Sequence, residues 1–233
     1  MVAVDLSILS EHLSEGNFHR IVRQEEPYNV LWGITEDGLL RGLTYIRDQQ
    51  VVGWHQHVIG GTNAQVKSIA IIPGSKESEL WMVVSRTVDG STVQYVERMA
   101  NYFRDDVEDV DATFLDSYLT YTGAAATSIT GIDHLEGETV KAYADGYVAV
   151  VEDVVTGGAI DLQDQAEKVH VGLPYSAEVK NMPIELQSQA GNTAGSLVRA
   201  WKSFVRFHRS ALARVGYSAD DSDIVENFGD TYT

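Results

Sequence analysis

His55 and His57 flank Gln56 in Val51–Val58, a stretch with the composition of a strand. Strand alternation puts both imidazoles on one face. Two histidines at that spacing could share a transition-metal ion. No third ligand is evident, and the plainer expectation is a polar strand face. Asp105, Asp106, Glu108, Asp109 and Asp111 form an acidic run that could bind calcium. The run lacks the Gly and the terminal Glu of an EF-hand loop, so a solvated linker is expected. Asp133-His134-Leu135-Glu136 sets a histidine between carboxylates, which could orient it for acid–base work. With no nucleophile beside it, surface or turn chemistry is the expectation. The 34 acidic residues make glycosidase-like carboxylate pairs inevitable without selecting one.

Other catalytic signatures are missing from the sequence. It contains no Gly-Lys-Ser/Thr phosphate loop, no Gly-x-Ser-x-Gly elbow and no His-Glu-x-x-His. Gly60-Gly61 and Gly157-Gly158 lack the strand-to-helix context of a dinucleotide site. Trp32, Trp54, Trp81 and Tyr95 sit at strand spacing and read as core rather than as a stacking platform. No catalytic residue, cofactor or metal is expected, and the function reads as architectural rather than enzymatic.

The net charge of −17 bounds the partners. Such a surface repels nucleic acid at long range. One local exception is a basic stripe of Arg199, Lys202, Arg206 and Arg209, which could face an acidic neighbouring subunit or a phosphate backbone. The subunit contact is the favoured reading. As a helix, Leu197, Trp201, Phe204, Val205 and His208 would share a face there; as a strand, Phe204, Arg206 and His208 would alternate with Val205, Phe207 and Arg209. The pattern by itself favours the helix.

These residues must be positioned by strands. Asn29–Met99 reads as a run of short strands: Val30–Ile34, Leu39–Ile46, Val51–Val58, Val66–Ile72, Leu80–Thr87 and Thr92–Met99. Glu36-Asp37-Gly38 and Asp89-Gly90 supply the positive-φ positions of tight hairpins. Even spacing of this kind predicts an antiparallel meander. Asp5–His12 could form one or two helical turns capped by Asp5. Past the acidic connector, Tyr118–Tyr121, Ser128–Thr130, Thr139–Ala144, Tyr147–Val151, Ala159–Leu162 and Lys168–Leu173 are further short strands, with Asp145-Gly146 and Gly157-Gly158 as turns. The fold class expected is all-β: a meander resembling β-propeller blades plus a small β-barrel or sandwich. The division expected is 1–110, 111–182 and 183–233, the last supplying a strand that returns to the first region and an acidic tail.

No apolar run approaches the roughly 18 residues of a membrane span, and the N-terminus lacks the layout of a signal peptide. The chain has no cysteine, so it has no disulfide framework and no thiolate metal site.

An ordered set of segments carries a family likeness: Asp5–His12, Gln24–Tyr45 with Trp54-His55, Val66–Pro73 with Glu79–Val84 and Tyr95–Glu97, then Leu115–Ser117, Gly131–Val140, Ala144–Gly146 and Lys168–Tyr175. With these segments the chain resembles the C-terminal part of the tail tubular protein B, or tail nozzle, family of short-tailed bacteriophages and prophages. The resemblance implies propeller-like blades, a small inserted β-barrel, and a hexameric virion component through which genomic DNA leaves without specific binding. It further implies contact with other tail or adaptor proteins, assembly in the host cytoplasm, and a strand rather than a helix over Leu197–Val215. Members of that family are usually longer on the N-terminal side, so the chain is expected to be a fragment or a separately encoded piece. A carbohydrate-binding or carbohydrate-degrading tail module is the alternative.

Overall fold

The computed structural model describes residues 5–8, 10–14, 16–75, 77–180, 187–188, 191–192, 204–209, 213–216, 218 and 221–225. The chain divides into two compact units, Met1–Tyr175 and Ser176–Thr233. Every described sheet is antiparallel, so the all-β expectation is met.

In the first unit, β1 (Phe18–Gln24), β2 (Val30–Thr35), β3 (Leu40–Ile46) and β4 (Val51–His57) form a four-stranded meander in chain order. A three-stranded meander follows, of β5 (Gln65–Pro73), β6 (Ser78–Val88) and β7 (Ser91–Arg98). Turn chemistry sets the registers. Asp89 and Gly90 take φ of 46° and 69°, and the hairpin closes with Val88 opposite Ser91. Positive φ at both central residues gives a turn the twist of its flanking strands.

Alternation then sorts the faces. Val30, Trp32, Ile34 and Leu40 of the first meander share a core with Val66, Ile69, Leu80, Met82 and Val84 of the second. The antiparallel meanders are as expected, and the two sheets share one core. Propellers close with about four to eight blades, so these sheets do not by themselves make one.

The third sheet contains β8 (Asp116–Thr130), β9 (Thr139–Ala144), β10 (Tyr147–Val154) and β11 (Ala159–Leu173), in the order β10-β9-β11-β8. Of the expected barrel or sandwich, the closed barrel is not what forms. The sheet is open, with β10 and β8 as its ends. Two pairs of predicted short strands are in fact two strands of 15 residues each, β8 and β11. Their ladder tolerates the polar middle by bulging, with register shifts between Asp161 and Ala166 and between Ala166 and Lys168. A separate core lies against this sheet, built on Ile129, Leu135, Val140, Ile160, Val169 and Val171.

The N-terminal helix is shorter than expected. α1 spans Glu11–Ser14, while Asp5 accepts the backbone N–H of Ser7 at 2.8 Å and closes a local turn instead of capping a helix. In the second unit, β12 (Gln187–Ser188) pairs with β13 (Gly191–Asn192), and β14 (Ala213–Gly216) pairs with β15 (Ser222–Val225).

Candidate functional site

His55 and His57 do lie on one face of β4, but it is the inward face. His55 stands opposite Gly42 of β3, which in turn stands opposite Trp32 of β2. A Cβ at Gly42 would lie 2.1 Å from His55 Cε1, so the glycine is the seat of the ring. His55 Nδ1 and His57 Nε2 are 2.9 Å apart and share a hydrogen bond. Both rings meet Trp32 edge-on, at centroid distances of 5.5 and 4.9 Å. Trp32 is 1% exposed, and its indole N–H donates to Gln24 Oε1 at 2.8 Å. Burial lowers the pKa of His55. That of His57 is pushed down to about 4 by burial and then by His55. The pair is therefore neutral at pH 7, and the expected polar strand face is corrected to a polar contact within packing. Among the described residues, no three His, Cys, Asp or Glu side chains gather in a way that could hold a metal ion.

The acidic connector is not a free linker. Asp109–Asp111 form a short 3-10 turn. The Val110 carbonyl accepts from His170 Nε2 at 3.0 Å, and Asp111 pairs with Lys168. His170 is 3% exposed, takes the Thr120 hydroxyl at Nδ1 (2.8 Å) and stacks on Tyr143. His134 is likewise committed: its Nε2 donates to the Ser117 carbonyl at 2.8 Å. Glu136 accepts the N–H groups of Gly157 and Gly158 at 2.9 and 2.8 Å, so it braces the turn before β11. His134 and Glu136 of the Asp-His-Leu-Glu segment thus both hold backbone.

A junction that the sequence reading missed joins the second meander to the third sheet. Arg86, on the inward face of β6, has no exposed side-chain surface and forms a two-pronged pair with Glu97 of β7; its second prong measures 2.9 Å. Its Nε donates to the Gly60 carbonyl at 2.8 Å, while the Gly60 N–H donates to Asp116 Oδ2 at 2.7 Å. Burial raises the Asp116 pKa, with the Gly60 N–H and Arg86 pulling the other way. Next to it, Thr62 gives its N–H and hydroxyl to Glu138 at 3.2 and 3.1 Å along an open groove of about 260 Å³. The available signal was an arginine inside the apolar run Val83-Val84-Ser85-Arg86-Thr87-Val88.

The tryptophans divide by role. Trp32 is core, Trp54 donates its N–H to the Leu6 carbonyl at 2.9 Å, and Trp81 donates to Glu79 at 3.0 Å. Of the basic stripe, Arg199 and Lys202 lie outside the described residues. Arg206 is exposed, Arg209 is half-buried with φ of 47°, and 204–209 is neither helix nor strand. The structure thus describes two of the four cations, Arg206 and Arg209.

Comparison of the chain with protein-family models finds no match, and comparison with curated proteins finds none.

Proposed function

We propose that the chain is a structural subunit of a short-tailed bacteriophage tail, part of the tube or nozzle through which the genome is ejected. The observation that carries this reading is the ordered likeness of its segments to the tail nozzle family along nearly the whole first unit. Several of those segments fall on strands and turns of the three sheets, among them β2, β3, β5 and β9. The polar clusters are consistent with an architectural role. His55, His57, His134, His170, Arg86 and Glu97 each hold backbone or a neighbouring side chain. Antiparallel sheets make stiff walls, repeated contacts close them into rings, and an acidic wall leaves DNA free to slide.

Light scattering and negative-stain imaging of the purified chain test this. A discrete ring-shaped oligomer, six subunits with an axial channel, is the expected result. A monomer at every concentration that binds host-surface polysaccharide would replace this reading with the carbohydrate-binding one.

A further inference from the structure

The His55–His57 contact has a property that a polar tie of ordinary chemistry lacks. An imidazole–imidazole hydrogen bond needs one ring N–H and one ring lone pair. Two neutral rings satisfy it. One added proton preserves the bond but places a charge in a half-buried site against Trp32. A second proton sets N–H against N–H at 2.9 Å.

Among the described residues, the faces packed against the pair are mostly uncharged. By register, the same face of the first meander carries Val22, Gln24, Val30, Trp32, Ile34, Leu40 and Thr44, none of them titratable, and Arg20, which is exposed at the far strand. Thr44 Oγ1 stands 3.5 Å from His55 Nε2. The facing meander brings Val66, Ile69, Leu80, Met82 and Val84. Its ionised side chains on that face, Arg86 and Glu97, neutralise each other, and its Tyr95 hydroxyl donates to the His134 carbonyl. From the segment before β1, His12 and Glu11 belong to α1, where the His12 carbonyl accepts from Arg41 of the opposite face.

We infer that the His55–His57 pair is an acid-sensitive latch: neutral, it packs on Trp32 in the core shared by the first two meanders; protonated, it is driven out and releases that tryptophan. The inference is independent of whether the chain builds a ring. The sign follows from linkage. A histidine whose folded pKa lies below its unfolded value binds more protons when unfolded. Its contribution is fully present above about pH 6.5 and is lost as pH falls toward the folded value of about 4 for His57.

Urea unfolding of the whole first and second units together, followed by tryptophan emission at pH 7 and pH 4, tests the latch against His57→Phe, which keeps an aromatic ring without a titrating group. Over that interval the wild type is expected to lose roughly a hundredfold more of its folding equilibrium constant than the variant. Equal losses in the two proteins overturn the latch. Should His57→Phe not fold, an NMR titration of the wild-type imidazole protons decides: His57 remaining neutral down to pH 5 supports the latch, and a midpoint near the ordinary histidine value overturns it.

Discussion

At the scale of single residues, the largest dependence falls on Arg86. Its guanidinium is fully buried, and it is held by Glu97 and the Gly60 carbonyl. Removing one partner of a buried ion pair leaves the other charge poorly compensated, which costs up to about 3–5 kcal/mol, and less where, as at Glu97, the remaining carboxylate keeps some contact with water. Arg86→Ala should therefore destabilise the first unit by up to that amount in urea titration, with the Gly60–Asp116 contact loosened as well. Replacing both partners by apolar residues, as in Arg86→Met with Glu97→Met, should recover much of the loss, because no charge is then left unpaired. Asp116 behaves in the opposite sense to a stabilising carboxylate. Burial raises its folded pKa, so its contribution to stability is fullest when it is protonated and declines as pH rises through its titration range. Asp116→Asn keeps an oxygen for the Gly60 N–H and cannot ionise. Thermal unfolding should show the variant more stable than wild type at pH 8, with the gain shrinking toward pH 3. A variant less stable at pH 8 would mean that attraction to Arg86 outweighs the burial cost.

At the scale of elements, the third sheet depends on a connector that looks dispensable in sequence. His170 of β11 holds the Val110 carbonyl, and Lys168 holds Asp111. His170→Leu preserves the packing volume against Tyr143 but leaves that carbonyl without its donor. Amide exchange over 105–111 should quicken markedly, and stability should fall by about 1–3 kcal/mol, the cost of an unmet buried polar group. Unchanged exchange would mean that the connector is held by something other than His170.

The same elements show what was legible beforehand. The Asp89-Gly90 and Asp145-Gly146 turns specify their own backbone, and both hairpins form as read, the second with Ala144 opposite Tyr147. β1 was missed because Phe18-His-Arg-Ile-Val-Arg-Gln24 is mostly exposed and lacks clean alternation. β8 and β11 each read as two strands in the sequence because Gly123-Ala-Ala-Ala126 and Gln163-Asp-Gln165 carry no large apolar residue. Each of those middles is held by its partner strand through a bulged ladder, a long-range cause that composition does not encode. The histidine pair was legible as spacing but not as burial, since Gly42 and Trp32, which seat it, come from strands that only the register brings alongside.

At the scale of the whole molecule, the charge of −17 governs how copies meet. Repulsion between two such bodies sums over their surfaces, and it is screened with a Debye length of about 8–10 Å near physiological salt. Exposed ion pairs of the kind the basic stripe could make each contribute about 0–1 kcal/mol. If the proposed ring forms, these magnitudes predict that its association strengthens as salt rises. Light scattering of one protein stock at about 20 mM and about 300 mM sodium chloride should show a higher average mass at the higher salt. The opposite trend would be equally informative, because salt dissolves an assembly only where opposite charges hold it. In that case Arg206→Glu with Arg209→Glu should abolish assembly at low salt, and the stripe would be the ring contact. With the expected trend the same double substitution leaves the mass nearly unchanged, and the contact is an uncharged surface on which acidic copies can approach once their field is screened.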